Sequence, residues 1–150
     1  MYTKEELLSH LLSEATSLKK SIRKYLNSPS LGTDMAFTFT ANEEERKKLL
    51  ERYNHFSSLL ARSVDKFEEE IAILSNMICE ADDAEDNAST LFLSSILDSY
   101  FIFCSSISHF VRSNEENFTA KASPFSISRV SEQAVYLEQA LDIFIKKISE

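Results

Sequence analysis

The chain has 150 residues, 43% of them hydrophobic and 27% charged, a balance that supports one packed core and excludes an intrinsically disordered segment. A single glycine and two prolines are too few for a fold built on tight turns, so composition selects helices over sheet. The formal net charge of −8 gives the average surface a field that repels phosphate backbones and anionic headgroups, which disfavours nucleic acid and membrane surfaces as general partners.

The N-terminal MYTKEELLSHLL lacks the basic-then-apolar pattern of a secretory signal, so a cytoplasmic location is expected. Thr3 followed by Glu6 forms a capping-box pattern. Leu8, Leu11, Ala15, Leu18, Ile22 and Tyr25 then step by three and four along one seam, which predicts a helix over 4–26. Its second half carries Lys19, Lys20, Arg23 and Lys24, placed where the negative end of a helix dipole favours cations. Asn27, Ser28 and Pro29 stop it.

Residues 27–41 have no helical period. AFTFT within them alternates phenylalanine and threonine, consistent with a short extended segment that sets Phe37 and Phe39 on one surface of a crossover loop. Thr40 with Glu43, or Asn42 with Glu45, caps a second helix whose apolar positions are Leu49, Tyr53, Phe56, Leu60, Val64, Phe67, Ile71, Leu74 and Ile78. The step from Leu60 through Val64 to Phe67 shifts that seam, and a break near Ser57, Ser58 or Ser63 would divide a rod otherwise about 60 Å long.

Negative charge concentrates between Asp65 and Asp86: Asp65, Glu68, Glu69, Glu70, Glu80, Asp82, Asp83, Glu85 and Asp86 stand against Lys66 alone. Such a run is ordinarily a solvated face and alternatively a docking surface for a cation-rich partner. EADDAEDN, residues 80–87, reads as the loop before a third helix, with Asp86 or Asn87 as its cap. Lacking a glycine at the turning position, it does not match a calcium-binding EF-hand loop.

The third helix is predicted over 88–112. Phe92, Ile96, Tyr100, Phe103, Ile107 and Phe110 define one side, with Leu93, Leu97, Cys104 and Val111 beside them and Leu91, Phe101 and Ile102 further round. A helix this apolar belongs in a membrane or in the middle of a bundle. Asp98, His109 and six serines between Leu91 and His109 favour the bundle. Asp98 suits a rim position or an interhelical partner of a Lys, Arg or Tyr better than a catalytic acid. Residues 113–125 are then a polar connection, and Ser126 or Ser128 caps a fourth helix with Ile127, Val130, Ala134, Leu137, Leu141, Phe144 and Ile148 along its seam. The expected fold is all-α, a four-helix antiparallel bundle forming one domain over 1–150.

Chemistry is sparse. Cys79 and Cys104 lack CxxC spacing and read as buried free thiols. His10 has Glu6 and Glu14 one turn away, and His55 has Glu51, which are ordinary i,i+4 pairs rather than ligand sets. Glu-x-x-His pairs, a glycine-rich phosphate loop and GxSxG are all missing. Neither metal nor cofactor is expected.

NASTLFLSSILDSYFIF, residues 87–103, resembles the helix of some prokaryotic HEPN proteins in which a small residue and aliphatics precede an acid followed by an aromatic. That family is a helical bundle of toxin and antitoxin systems, often with RNase activity. The resemblance implies an RNA site, for which His109, Arg112 and Asn114 are the candidates, sharing a cleft across a dimer. The family's signature of an arginine, a polar residue, a spacer and a histidine is incomplete: Arg112, Ser113 and Asn114 lead to no later histidine, and Arg52 is too close to His55.

The primary expectation is a non-enzymatic acidic protein that binds a basic protein partner, of immunity, antitoxin or inhibitor type. Its candidate surface comprises Asp65, Glu68, Glu69, Glu70, Asp82, Asp83, Glu85 and Asp86. The alternatives are a degenerate HEPN-like component acting on RNA and a homo-oligomeric scaffold, a homodimer in the simplest case.

Overall fold

The computed structural model describes residues 3–26, 43–119 and 124–150, with backbone alone at 26, 43–46, 48–50, 113–119 and 124–133. Four helices pack together: α1 (Lys4–Leu26), α2 (Glu43–Asp83), α3 (Asn87–Thr119) and α4 (Pro124–Ser149). No strand occurs among the described residues. The AFTFT segment with Phe37 and Phe39, and the caps at Thr40 and Asn42, lie outside them.

The start of α1, the end of α2 and the start of α3 each have a local cause. Glu6 donates its backbone N–H to Thr3 Oγ1 at 3.2 Å, satisfying one donor that the first turn of α1 leaves open. The α2 helix is continuous through Ser57, Ser58 and Ser63; Ser63 donates to the Leu59 carbonyl at 2.9 Å, so its hydroxyl is satisfied without interrupting the ladder.

The acidic segment is shorter as a loop than expected, because α2 runs on to Asp83. It closes with a Schellman arrangement: the Asp86 N–H reaches the Ala81 carbonyl at 2.9 Å and the Glu85 N–H reaches the Asp82 carbonyl at 3.0 Å, with Glu85 in the left-handed region at φ 58°. This is the position that glycine ordinarily fills. Asp86 is the cap of α3, accepting the Ser89 N–H at 3.2 Å.

Two further boundaries differ from expectation. The α3 helix continues past Arg112 to Thr119, since the polar residues 113–119 contain neither proline nor glycine to stop it. The α4 helix starts at Pro124 itself, where a ring without an N–H costs nothing in the first turn.

Cross-helix pairs fix the topology. Tyr25 stacks on Phe56 with ring centroids 4.0 Å apart while His10 meets Glu70, so α1 and α2 run antiparallel. Phe56 meets Phe110 and Phe67 meets Tyr100, which makes α2 and α3 antiparallel. Lys19 pairs with Asp142 and Arg23 with Glu138, setting α4 antiparallel to α1. Neighbours around the ring are α1, α2, α3 and α4 in turn.

The core is made largely of the predicted seams, with Tyr25, Val64, Ile78 and Phe92 at its margin and the Leu49, Ile127 and Val130 side chains outside the described residues. Leu11, Ala15, Leu18 and Ile22 of α1 are buried, together with Tyr53, Phe56, Leu60, Phe67, Ile71 and Leu74 of α2. The α3 helix adds Ile96, Tyr100, Phe103, Ile107 and Phe110, and α4 adds Ala134, Leu137, Leu141, Phe144 and Ile148. Leu7 is fully buried while Leu8 packs at the margin. Phe67, Tyr100 and Phe144 form a triad with centroids 5.6–6.0 Å apart, each pair contributing about 0.5–1.5 kcal/mol beyond its buried area.

Polar groups within the bundle are served locally. Tyr53 donates its hydroxyl to the Val111 carbonyl at 3.2 Å. Ser95 and buried Ser99 return their hydroxyls to the Phe92 and Ile96 carbonyls at 2.7 Å, which lets polar residues sit on a close-packed helix.

Candidate functional site

Three surface features follow from this scaffold. The first is the acidic face of α2. Asp65, Glu69, Ala72, Asn76, Glu80 and Asp83 are all exposed, and their spacing of three and four keeps them on one side of the helix over about 27 Å. Glu68 and Asp82 are exposed beside this line, and Glu85 and Asp86 are exposed in the turn that follows. Hydrogen bonds from Ser89 hold the Asp86 carboxyl below the usual carboxylate range, so that side chain is committed to capping α3. Glu70 does not join the face. It is only 6% exposed, because its position three residues after Phe67 and four before Leu74 turns it toward the bundle.

Cations are distributed unevenly around these acids. Lys19 lies 2.6 Å from Asp142 and Arg23 lies 3.2 Å from Glu138, so two of the four basic residues late in α1 are engaged by α4. Among the described residues, no cation lies within ion-pair distance of Asp65, Glu68, Glu69, Asp82, Asp83 or Glu85.

The second feature is a shallow open depression along α3, lined by Phe101, Cys104, Ser105, Ser108, His109 and Arg112. It brings His109 and Arg112 together at one-turn spacing. The Asn114 side chain lies outside the described residues. Asp98 is exposed on the same helix, with no ion-pair partner among the described residues, which fits a place at the rim and not an interhelical ion pair. Burial pushes the Cys104 thiol up, with Tyr100 as its hydrogen-bond partner. Cys79, expected to be buried, is an exposed free thiol: it lies on the outer arc of α2 between Asn76 and Glu80.

Asn87–Arg112 is long and apolar enough to cross a membrane by length and composition, its most apolar 18 residues having a mean hydropathy of 1.5. One side of it is core. The opposite side carries Leu91, Phe101 and Ile102 at 72%, 52% and 58% exposure.

The third feature was not legible as a site in the sequence. Across the α1–α2 seam, His10 Nδ1 lies 2.9 Å from Glu70 Oε1 and 3.7 Å from Glu14 Oε1. Burial, then the neighbouring Glu70 carboxylate, pushes the Glu14 carboxyl above its ordinary value, partly opposed by His10 and Lys66. His55 and His109 are exposed elsewhere and do not join this group. The available signal was Glu70 itself, an acid on the apolar stripe of α2, but its partners depend on the register of α1 against α2.

Comparison of the chain with family models, with curated proteins and with solved structures finds no match.

Proposed function

We propose that this chain is a non-enzymatic, acidic helical protein of the cytoplasm that binds a basic protein partner, in the manner of immunity proteins, antitoxins and inhibitors. The observation that carries this reading is the exposed line of Asp65, Glu69, Glu80 and Asp83 on one side of α2, flanked by Glu68 and Asp82, without compensating ion pairs among the described residues. A continuous helix holds these carboxylates in a fixed row, which steers a cationic surface into register and accelerates association.

The test is capture with the intact chain and with a D65K/E69K/D83K variant, followed by association kinetics at two salt concentrations. The reading predicts a basic captured partner whose association rate falls with salt and collapses in the variant. Partners that are not basic, or binding indifferent to the reversal, refute it.

Two other readings each have one supporting observation. An RNA site of HEPN-like kind is supported by His109 and Arg112 lining one depression, and an Arg112→Ala variant with unchanged RNA cleavage and toxicity removes it. A homo-oligomeric scaffold is supported by exposed Leu91, Phe101 and Ile102 on α3, a set of apolar side chains suited to self-association. Light scattering showing a monomer removes that one.

A further inference from the structure

The α1–α2 seam brings an imidazole and two carboxylates to one point. His10, Glu14 and Glu70 each offer a donor atom, and these atoms all lie within 4.8 Å of one another. Ligand atoms around a tetrahedral ion with bonds of 2.0–2.1 Å are about 3.3 Å apart. The observed separations of 2.9 Å and 3.7 Å from His10 Nδ1 bracket that value, and the Glu14 and Glu70 oxygens lie within 4.8 Å of each other.

Glu70 supplies an independent reason to look for a ligand here. A carboxylate more than nine-tenths buried is costly unless its oxygens are engaged. Glu70 Oε1 faces His10, but Glu70 Oε2 and Glu14 Oε2 are buried and accept no hydrogen bond from the described residues. An imidazole that binds through a ring nitrogen and carboxylates that bind as anions are the forms a metal ion selects, because ligation displaces their protons.

We propose that His10, Glu14 and Glu70 form a three-ligand site for a divalent first-row transition ion, Zn²⁺ being the type. The donor set selects the class. Imidazole suits zinc and its neighbours, whereas magnesium and calcium prefer oxygen ligands alone. Three protein ligands leave a fourth position open to water. The ion would bridge α1 and α2, which among the described residues make the fewest contacts of the four neighbouring helix pairs, bracing the seam that closes the ring. This inference is independent of the partner-binding reading, and either can fail without the other.

Calorimetric titration of the chelator-stripped full chain with Zn²⁺ at neutral pH tests it, alongside thermal unfolding with and without the ion. One Zn²⁺ per chain is expected, with a rise in Tm and no displacement by excess Mg²⁺. Glu70→Gln and His10→Gln should each weaken binding by about tenfold or more, since direct ligands matter at least as much as their outer-shell partners. Should Glu70→Gln fail to fold by circular dichroism, His10→Gln decides, because His10 is 42% exposed at its side chain. Cys79→Ser and a His55→Gln/His109→Gln double variant should bind as the parent does. Absence of one-to-one binding, binding that survives in folded His10→Gln, loss of binding in Cys79→Ser, or equal competition by Mg²⁺ overturns the assignment.

Discussion

The Arg23 guanidinium and the Glu138 carboxylate lie 3.2 Å apart across the α1–α4 seam, one turn from Lys19 and Asp142 at 2.6 Å. Two rungs of opposite charge thus join the first helix to the last. Glu138 is mostly buried while Arg23 is largely exposed, so solvent screens the cation's side of the pair. A double-mutant cycle on Arg23→Ala and Glu138→Ala should give a coupling of about 0.5–1 kcal/mol by urea unfolding, falling as salt is added. A coupling of zero at low salt would show that the rung is geometric only.

Phe67 is fully buried and meets Tyr100 and Phe144 edge to face, whereas Phe101, on the far side of α3, is 52% exposed. Phe67→Ala should therefore cost about 3–5 kcal/mol, the range for removing a buried aromatic ring. Phe101→Ala should stay within about 0.5 kcal/mol. Chemical denaturation followed by circular dichroism compares them, and similar losses at both positions would mean that Phe101 is covered in solution.

Glu85 holds a left-handed conformation at φ 58° between the two Schellman hydrogen bonds that end α2. A side chain there costs roughly 1–2 kcal/mol that glycine avoids, part of which returns as the greater freedom of glycine in the unfolded chain. Glu85→Gly is expected to raise stability by up to about 1 kcal/mol, and Glu85→Val to lower it. The midpoint of urea unfolding reads both.

Two carboxyls give opposite pH signatures. Asp86 is held below its ordinary value by Ser89, so its ionised cap contributes fully above the unfolded value of about 3.9 and is lost as pH falls through the lower folded value. Asp86→Asn should diverge from the parent above that window and converge with it at lower pH. Glu14 is raised by burial and by Glu70, so its charge opposes folding once pH exceeds the unfolded value of about 4.3. In the presence of a chelator, Glu14→Gln should gain over the parent as pH rises from 4 toward neutrality. Parallel curves for parent and variants would contradict these assignments.

The four rods and the hidden side of each are legible in the order of the residues. Steps of three and four place Leu11, Ala15, Leu18 and Ile22, or Leu137, Leu141, Phe144 and Ile148, on one line of any α-helix, whatever surrounds it. The same local logic located the Thr3 and Asp86 caps, because capping is settled within one turn. It placed the ends of α2 and α3 too early, because both helices outlast their apolar pattern, α2 as far as its Schellman turn and α3 through residues with neither proline nor glycine to Thr119. Helical spacing separates Glu70 from the outward acids, but what Glu70 meets depends on how the helices pack. Glu68, Glu69 and Glu70 are chemically alike in the chain, yet a turn of 100° per residue sends the last of them into the seam. Its meeting with His10, 60 residues away in sequence, exists only because α1 and α2 run antiparallel in one particular register, and register is a property of the packed core rather than of any segment.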